Sequence, residues 1–432
     1  MGFLSCLHTA INKSVIYNNI NLKPKQVKCL EALYKKKDCV AVLPTGYGKS
    51  LIYQLLPSLL NKQNIFEQIQ LGRELSLNTP VILVVSPLNS LICDQLRKLN
   101  NGADLKAVFL EKDSTSFCEA PDIKDALFDI MFLHPEACLS SKTGMDLFQS
   151  LPYQKSVKVI VVNEAHCIFG WGDNFRTDYS YLGMLCSFFP SVPVLALTAT
   201  ASKKDREVIK STLHMRNPLE VVGSLNRTNI FFKKVFRNGP DIESYEEILT
   251  PIAMKLLEQK TEFPMTIIYL NLRWCGFAYR LFERILGKEQ YFPTGADTIP
   301  ENRLISQFHS PQTATMKEHI LNELAHPGSK LRVVFATVAM GMGVDMPSMR
   351  NIIHIGPPRT VREYMQETGR AGRDGCASTA VLYYNNKDIA KNRKGITEEI
   401  RDYRNLDYSC MRKFPLDCLD VTLGTGCWPL LL

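Results

Sequence analysis

Apolar residues fall in two rhythms along this chain. Runs that are apolar nearly throughout, at 39–43, 81–86, 157–162 and 194–198, alternate with stretches of helical spacing such as 49–60 and 90–99. A strand covered on both faces reads as a continuous apolar run, the mark of a parallel sheet between helical layers. A second series follows at 266–270, 331–336, 351–355 and 380–384, with helical stretches at 276–286 and 315–324. The pattern predicts two successive α/β layers, each a doubly wound parallel sheet, with no sequence repeat relating them. The break falls within 222–240. Residues 292–312, poor in apolar positions and holding several Pro and Gly, read as a surface loop. The resulting division is an N-terminal segment 1–20, a first domain 21–222, a second domain 223–385 and a short C-terminal segment 386–432.

Composition narrows the class. A chain of 432 residues has room for two to three domains, each with its own core. No apolar run approaches the roughly 18 residues a membrane helix needs, and the opening MGFLSCLHTAINK has no basic region followed by an apolar one. A myristoylation reading of Met1-Gly2 fails because Cys6 stands where Ser or Thr is needed. The 13 cysteines are scattered without a framework, as expected of thiols in a reducing compartment. The formal net charge of +8 is compatible with a polyanionic partner.

The most specific segment is CVAVLPTGYGKSLIYQLL. A strand runs into Pro44-Thr45-Gly46-Tyr47-Gly48-Lys49-Ser50 and then into a helix, the context a phosphate-binding loop requires. Glycines admit backbone N–H groups close to phosphates, and the helix start adds partial positive charge. Lys49 is placed to reach the β- and γ-phosphates of ATP, and the Ser50 hydroxyl to ligate Mg²⁺. Leu43 stands where the general pattern has its first glycine, so Gly46 and Gly48 carry the loop. A second element is Asn163-Glu164-Ala165-His166 after the run 157–162, where a nucleotide-driven motor places Asp-Glu-Ala-His. One acid there supports Mg²⁺ and the next orients or deprotonates water. Glu164 supplies the second. Asn163 replaces the first and leaves a weakened metal position.

Taken in order, these and further motifs resemble the RecQ-type DNA helicases of helicase superfamily two, over residues 18–428. Leu22-Lys23-Pro24-Lys25-Gln26 is similar to the adenine-binding motif, with Gln26 reading the base edge. Here Lys23 stands for the usual Arg and Asn19 for the usual aromatic, with Tyr17 nearby. Val85-Ser86-Pro87-Leu88 with Ser90, Asp94 and Gln95, and His134-Pro135-Glu136, resemble strand-tracking motifs. Leu197-Thr198-Ala199-Thr200-Ala201 resembles the motif that couples hydrolysis to motion. Residues 167–176 resemble the aromatic-rich loop of RecQ helicases, in which Trp171 and Phe175 stack on unpaired bases and Arg176 meets a phosphate. Ser224-Leu225-Asn226-Arg227-Thr228-Asn229 is similar to the interdomain segment. Thr337 is implied in strand contact and Asp345 in ribose binding. Gln366-Glu367-Thr368-Gly369-Arg370-Ala371-Gly372-Arg373 matches the sixth helicase motif, which implies catalytic roles for Gln366, Arg370 and Arg373, the arginines stabilising γ-phosphate charge.

The resemblance implies two tandem RecA-like domains with a short, incomplete C-terminal extension. ATP and Mg²⁺ are the implied cofactors, and single-stranded and duplex DNA the partners. It further implies 3′-to-5′ unwinding in repair or recombination, and nuclear residence. Of the family's four zinc-ligating cysteines only Cys410 and Cys427 have counterparts, and a closed structural site wants four. Zinc is therefore not expected. Two other readings stand beside the helicase: a protein that binds ATP and DNA with little turnover, motivated by Asn163, and an RNA helicase of the same superfamily.

Overall fold

The computed structural model describes residues 2–13, 17–18, 20–71, 79–87, 89–100, 105–111, 118–139, 142–169, 179, 182–239, 241–326, 328–340, 346, 348–390, 395–404 and 411–419. The chain divides into two compact units, Met1–Ser224 and Leu225–Leu432.

Among the described residues of the first unit, seven strands form one parallel sheet: β1 (Cys39–Val42), β2 (Val81–Val85), β3 (Ala107–Leu110), β4 (Ile130–Leu133), β5 (Val157–Asn163), β6 (Val194–Thr198) and β7 (Leu219–Val222). Their order is β3-β4-β2-β5-β6-β1-β7. Strands β1, β2, β4 and β6 are buried at every position, which is why their sequences are apolar throughout. The edge strand β7 exposes Leu219 and Glu220. The helix Phe3–Lys13 lays Cys6, Leu7 and Ala10 into the core shared with Leu30, Leu33 and Leu56, so the chain's first residues are part of this unit's packing.

The described residues of the second unit hold six parallel strands: β8 (Ile230–Phe236), β9 (Thr266–Tyr269), β10 (Ile305–Phe308), β11 (Val333–Ala336), β12 (Asn351–Ile355) and β13 (Ser378–Tyr384). The order is β10-β11-β9-β12-β13-β8. The two all-parallel α/β sheets are the fold class the apolar runs predict. One expectation is corrected: 292–312 is not loop throughout, because β10 lies within it and pairs with β11. An edge strand with only Ile305 and Phe308 fully buried carries too little apolar signal to stand out. Beyond β13, the helices Glu398–Arg404 and Lys413–Asp417 contribute Ile400, Tyr403 and Leu416 to the same core as β9, β12 and the helix Val361–Thr368.

Candidate active site

The phosphate loop leaves β1 at the carboxyl edge of the sheet, the edge where ligands bind in open α/β folds. Leu43 N donates to Thr198 O at 3.0 Å, which fixes the loop's start to β6. Gly46 and Gly48 have φ of 78° and 85°, backbone that only glycine adopts without strain. A Cβ on Gly48 would meet Gln26 Nε2 at 2.6 Å. The helix Lys49–Gln70 starts from Gly48 with no side-chain cap, so its first N–H groups are left for another acceptor. Lys49 Nζ donates to Leu43 O at 3.2 Å. Thr45 and Ser50 are half-buried beside it.

Gln26 is 2% exposed and bonded at both ends of its amide. Its Nε2 donates to Tyr47 O (3.1 Å) and Gly48 O (2.9 Å), and its Oε1 accepts Lys23 N (2.7 Å). In this structure the residue therefore splints the loop from outside. Lys23 supports the same turn, with Nζ 4.6 Å from the Tyr47 ring centre. Tyr17 is turned into the core instead: its hydroxyl donates to Gln54 Oε1 (2.8 Å), and Gln54 Nε2 donates to Gln95 Oε1 (2.6 Å). Burial pushes the Tyr17 phenol up to about 12. This buried chain ties the phosphate-loop helix to the helix Asn89–Asn100. Asn19 lies outside the described residues.

Asn163 ends β5 in register with Leu197 of β6, two strands from β1. It is 7% exposed, and its side-chain amide makes no hydrogen bond among the described residues. Glu164 follows with φ of 53°, a left-handed conformation rare for a side-chain-bearing residue and common at functional turns. Its Oε2 lies 3.3 Å from His166 Nδ1, which is also 3.1 Å from Thr198 Oγ1. Thr198 Oγ1 in turn donates to Thr200 O at 3.2 Å. A continuous polar path thus joins the carboxylate to the turn after β6. Burial works against charge on His166, but Cys167 and Glu164 beside it overcome burial and carry the imidazole up to about 9. His134 donates from Nδ1 to Ser86 O at 2.8 Å and also bonds the Asn89 side chain, joining the ends of β4 and β2.

In the second unit the helix Val361–Thr368 is capped by Thr360, whose Oγ1 accepts Glu363 N at 3.0 Å. Gln366 lies on this helix and Arg370 just beyond it, 8% and 3% exposed; Arg373 is half-buried. Nε and Nη1 of Arg370 are buried with no hydrogen-bond partner among the described residues. The turn that carries these arginines is clamped from the start of the unit. Arg227 donates to Gly369 O (3.4 Å), to Ala371 O (3.1 Å) and to Gly372 O, and Asn229 Nδ2 donates to Gly372 O (2.8 Å) and Cys376 O (2.9 Å). Arg350 pairs with both oxygens of Asp374, holding that carboxyl below its ordinary range. The clamp was missed in the sequence because nothing in local spacing relates Arg227 to a turn more than 140 residues away. Thr337 follows β11, its N–H donating to Phe308 O at 3.1 Å. Trp171, Phe175, Arg176, Asp345, Cys410 and Cys427 lie outside the described residues. Among those described, no group of three His, Cys, Asp or Glu side chains is placed to hold a metal, and no helix is long and apolar enough to cross a membrane.

Comparison with known proteins follows the same division. The DEAD/DEAH box helicase family matches residues 23–208, and the helicase conserved C-terminal domain matches residues 278–375. A putative ATP-dependent DNA helicase Q1 of Caenorhabditis elegans is 32% identical over 398 residues, covering 90% of this chain and 56% of its own length. The ATP-dependent DNA helicase RecQ of Pasteurella multocida is 31% identical over 381 residues, covering 87% of this chain and 52% of its own. The chain thus spans about half the length of these curated relatives. Among solved structures, the helicase Lhr of Mycobacterium smegmatis bound to ssDNA and AMP-PNP has a TM-score of 0.61 at 17% identity, covering 96% of this chain and 54% of that one.

Proposed function

The chain belongs to the RecQ family of superfamily-two helicases, and from that premise we propose that it is an ATP-driven DNA helicase whose turnover is slowed by Asn163. The observation that carries the reading is the pairing, on one sheet edge, of a glycine-shaped phosphate loop with a half-buried carboxylate, Glu164, just past the tip of a strand two strands away. The loop's uncapped N–H groups and Lys49 bind phosphate oxygens. Glu164, held against His166, orients water and takes its proton. The reading assigns Arg370 and Arg373 to the charge that develops on the transferred phosphate, and a catalytic role to Gln366 on the helix before them. Mg²⁺, when bound, neutralises phosphate charge. The Ser50 hydroxyl and the amide oxygen of Asn163 are the groups available to it, the latter unengaged among the described residues. Strand contacts fall to Thr337 and to Trp171, Phe175 and Arg176, and are of the phosphate and stacking kind, with steep salt dependence and slight sequence preference. Movement 3′ to 5′, a role in repair or recombination and a nuclear address are proposed from the family.

Asn163 favours a second reading, binding of ATP and DNA with turnover near background. The amide keeps an oxygen but lacks the charge, a loss of about 1–3 kcal/mol, the range for an impaired charged hydrogen bond. Acting on the transition state, that slows turnover roughly five- to 150-fold. The test is DNA-stimulated ATP hydrolysis by the wild-type chain beside Asn163→Asp and Glu164→Gln. Wild type is expected to lie between the two variants. Wild type no faster than Glu164→Gln, with Asn163→Asp restoring turnover, would establish the second reading.

A further inference from the structure

The C-terminal stretch after β13 joins an aromatic stack that leads to the helix Val361–Thr368, just before Arg370. Phe414 and Tyr403 are stacked, with ring centres 6.0 Å apart. Tyr403 lies 5.6 Å from Tyr364, and Tyr364 meets the edge of His354 at 5.3 Å. His354 stacks on Tyr269 at 4.8 Å, the planes only 12° apart. Arg370 lies two residues past the helix that carries Tyr364, and its N–H donates back to Glu367 O at 3.2 Å. All but Phe414 are buried in this row, Tyr364 and Tyr403 almost completely. Two of its contacts grip the helix Val361–Thr368: Tyr364 belongs to it, and His354 Nε2 donates to Glu367 Oε2 at 2.7 Å. The far end is anchored as well, since Lys234 Nζ of β8 donates to Tyr403 O at 3.2 Å.

Rings of this kind are stiff and close-packed, so a shift at one is passed to the next and not absorbed. Arg370 is the group such a shift would move. Its Nε and Nη1 have no partner among the described residues, so packing, and not hydrogen bonding at those atoms, sets where they point. We propose that the C-terminal stretch positions Arg370 through this stack, with Tyr403 and Tyr364 as positioning residues for ATP hydrolysis. The described helices after β13 are then a working part of the motor. The kinetic part of the proposal rests on the ATPase reading above.

The test uses the full chain carrying Tyr403→Leu, Tyr403→Phe, Phe414→Leu or Arg370→Ala, and the double variant Tyr403→Leu/Arg370→Ala. Tyr403→Leu is expected to lower kcat for DNA-stimulated hydrolysis about tenfold with KM for ATP within about twofold, a fraction of the hundredfold that an ångström of misplacement costs. Tyr403→Phe, which keeps the ring, is expected to match wild type. Phe414→Leu, at the half-buried end, is expected to give a smaller loss and serves if Tyr403→Leu fails to fold. In the Arg370→Ala background Tyr403→Leu should cost nothing further; an equal loss in both backgrounds overturns the proposal. Hydrogen exchange of the amides of 361–373 supplies an arm that needs no turnover. Faster exchange there in Phe414→Leu, with β10 and β11 unchanged, supports the coupling, and unchanged exchange overturns it. A wild-type chain without DNA-stimulated hydrolysis defeats the ATPase reading, and the exchange result then decides the coupling by itself.

Discussion

Gln26 in the first unit and Arg370 in the second are almost equally buried, at 2% and 3% exposure, yet their polar atoms are treated in opposite ways. Gln26 places both ends of its amide on backbone groups, two of them in the phosphate loop, and Lys49 beside it bonds Leu43 O. Arg370 leaves two donors without partners among the described residues, and the same region buries Glu363 and Glu367. A buried polar group left unpaired costs about 1–3 kcal/mol, and more when charged. The difference bears on where affinity for phosphate charge arises. The first loop is splinted through its carbonyls, so an arriving phosphate takes Lys49 from Leu43 O and finds the uncapped N–H groups of the helix start already held in place. On the proposed reading the arginine turn would gain bonds it lacks, releasing its stored cost when an anion arrives.

The sharpest way to break this contrast is Arg370→Ala. Loss of an arginine that stabilises transferred phosphate slows turnover about a thousandfold or more. Removing an incompletely paired buried charge, however, should leave the melting temperature unchanged or raise it. DNA-stimulated ATP hydrolysis and calorimetry on the same preparation check both. A melting temperature lowered by several degrees would make Arg370 a structural cation, and the contrast with Gln26 would collapse.

The same contrast explains what could be read in advance. The phosphate loop was legible because close backbone approach to phosphate demands glycine, and Gly46 and Gly48 stand where that demand falls. The strands covered on both faces were legible because burial writes itself as continuous apolar sequence. Periodicity reports that a position is buried but not what it touches. It could show Tyr403 as an apolar-face residue, but not its place in a row of rings ending at Tyr269. Nor could it pair Arg227 with the turn at 369–372, or show that Gln26 grips the loop beside it. Strand β10 escaped because an edge strand needs few apolar positions.

A middle-sized effect should appear in the pH dependence of stability. Burial, with the nearby Glu367 charge adding to it against the Arg359 N–H bond, pushes the Glu363 carboxyl from its ordinary 4.5 up to about 6. The folded chain then binds this proton more tightly than the unfolded one, so the contribution is fully present below pH 4.5 and is lost as pH rises to about 6. The shift corresponds to about 2 kcal/mol. Urea unfolding across that window should show stability falling with pH from this group, and Glu363→Gln should remove the slope and raise stability at neutral pH. A Glu363→Gln profile parallel to wild type would mean the second unit does not carry the electrostatic cost the comparison assigns to it.

The smallest expected effect tests the splinted loop directly. Gly48→Ala forces a side chain onto φ of 85°, at about 1–2 kcal/mol for a left-handed L-residue. It also brings Cβ to 2.6 Å from Gln26 Nε2. The amide is the far end of a flexible side chain, but three hydrogen bonds hold it, so it cannot step aside without losing some of them. ATP affinity should fall about tenfold, the equivalent of 1.4 kcal/mol, by titration calorimetry with a non-hydrolysable analogue. Gln26→Ala alone should also weaken binding, because the loop loses its splint. Combined, the two should cost less than their sum, since Gln26→Ala opens the space that Gly48→Ala needs. Strict additivity would show that Gln26 and Gly48 act independently, and that the splint is not what shapes the loop.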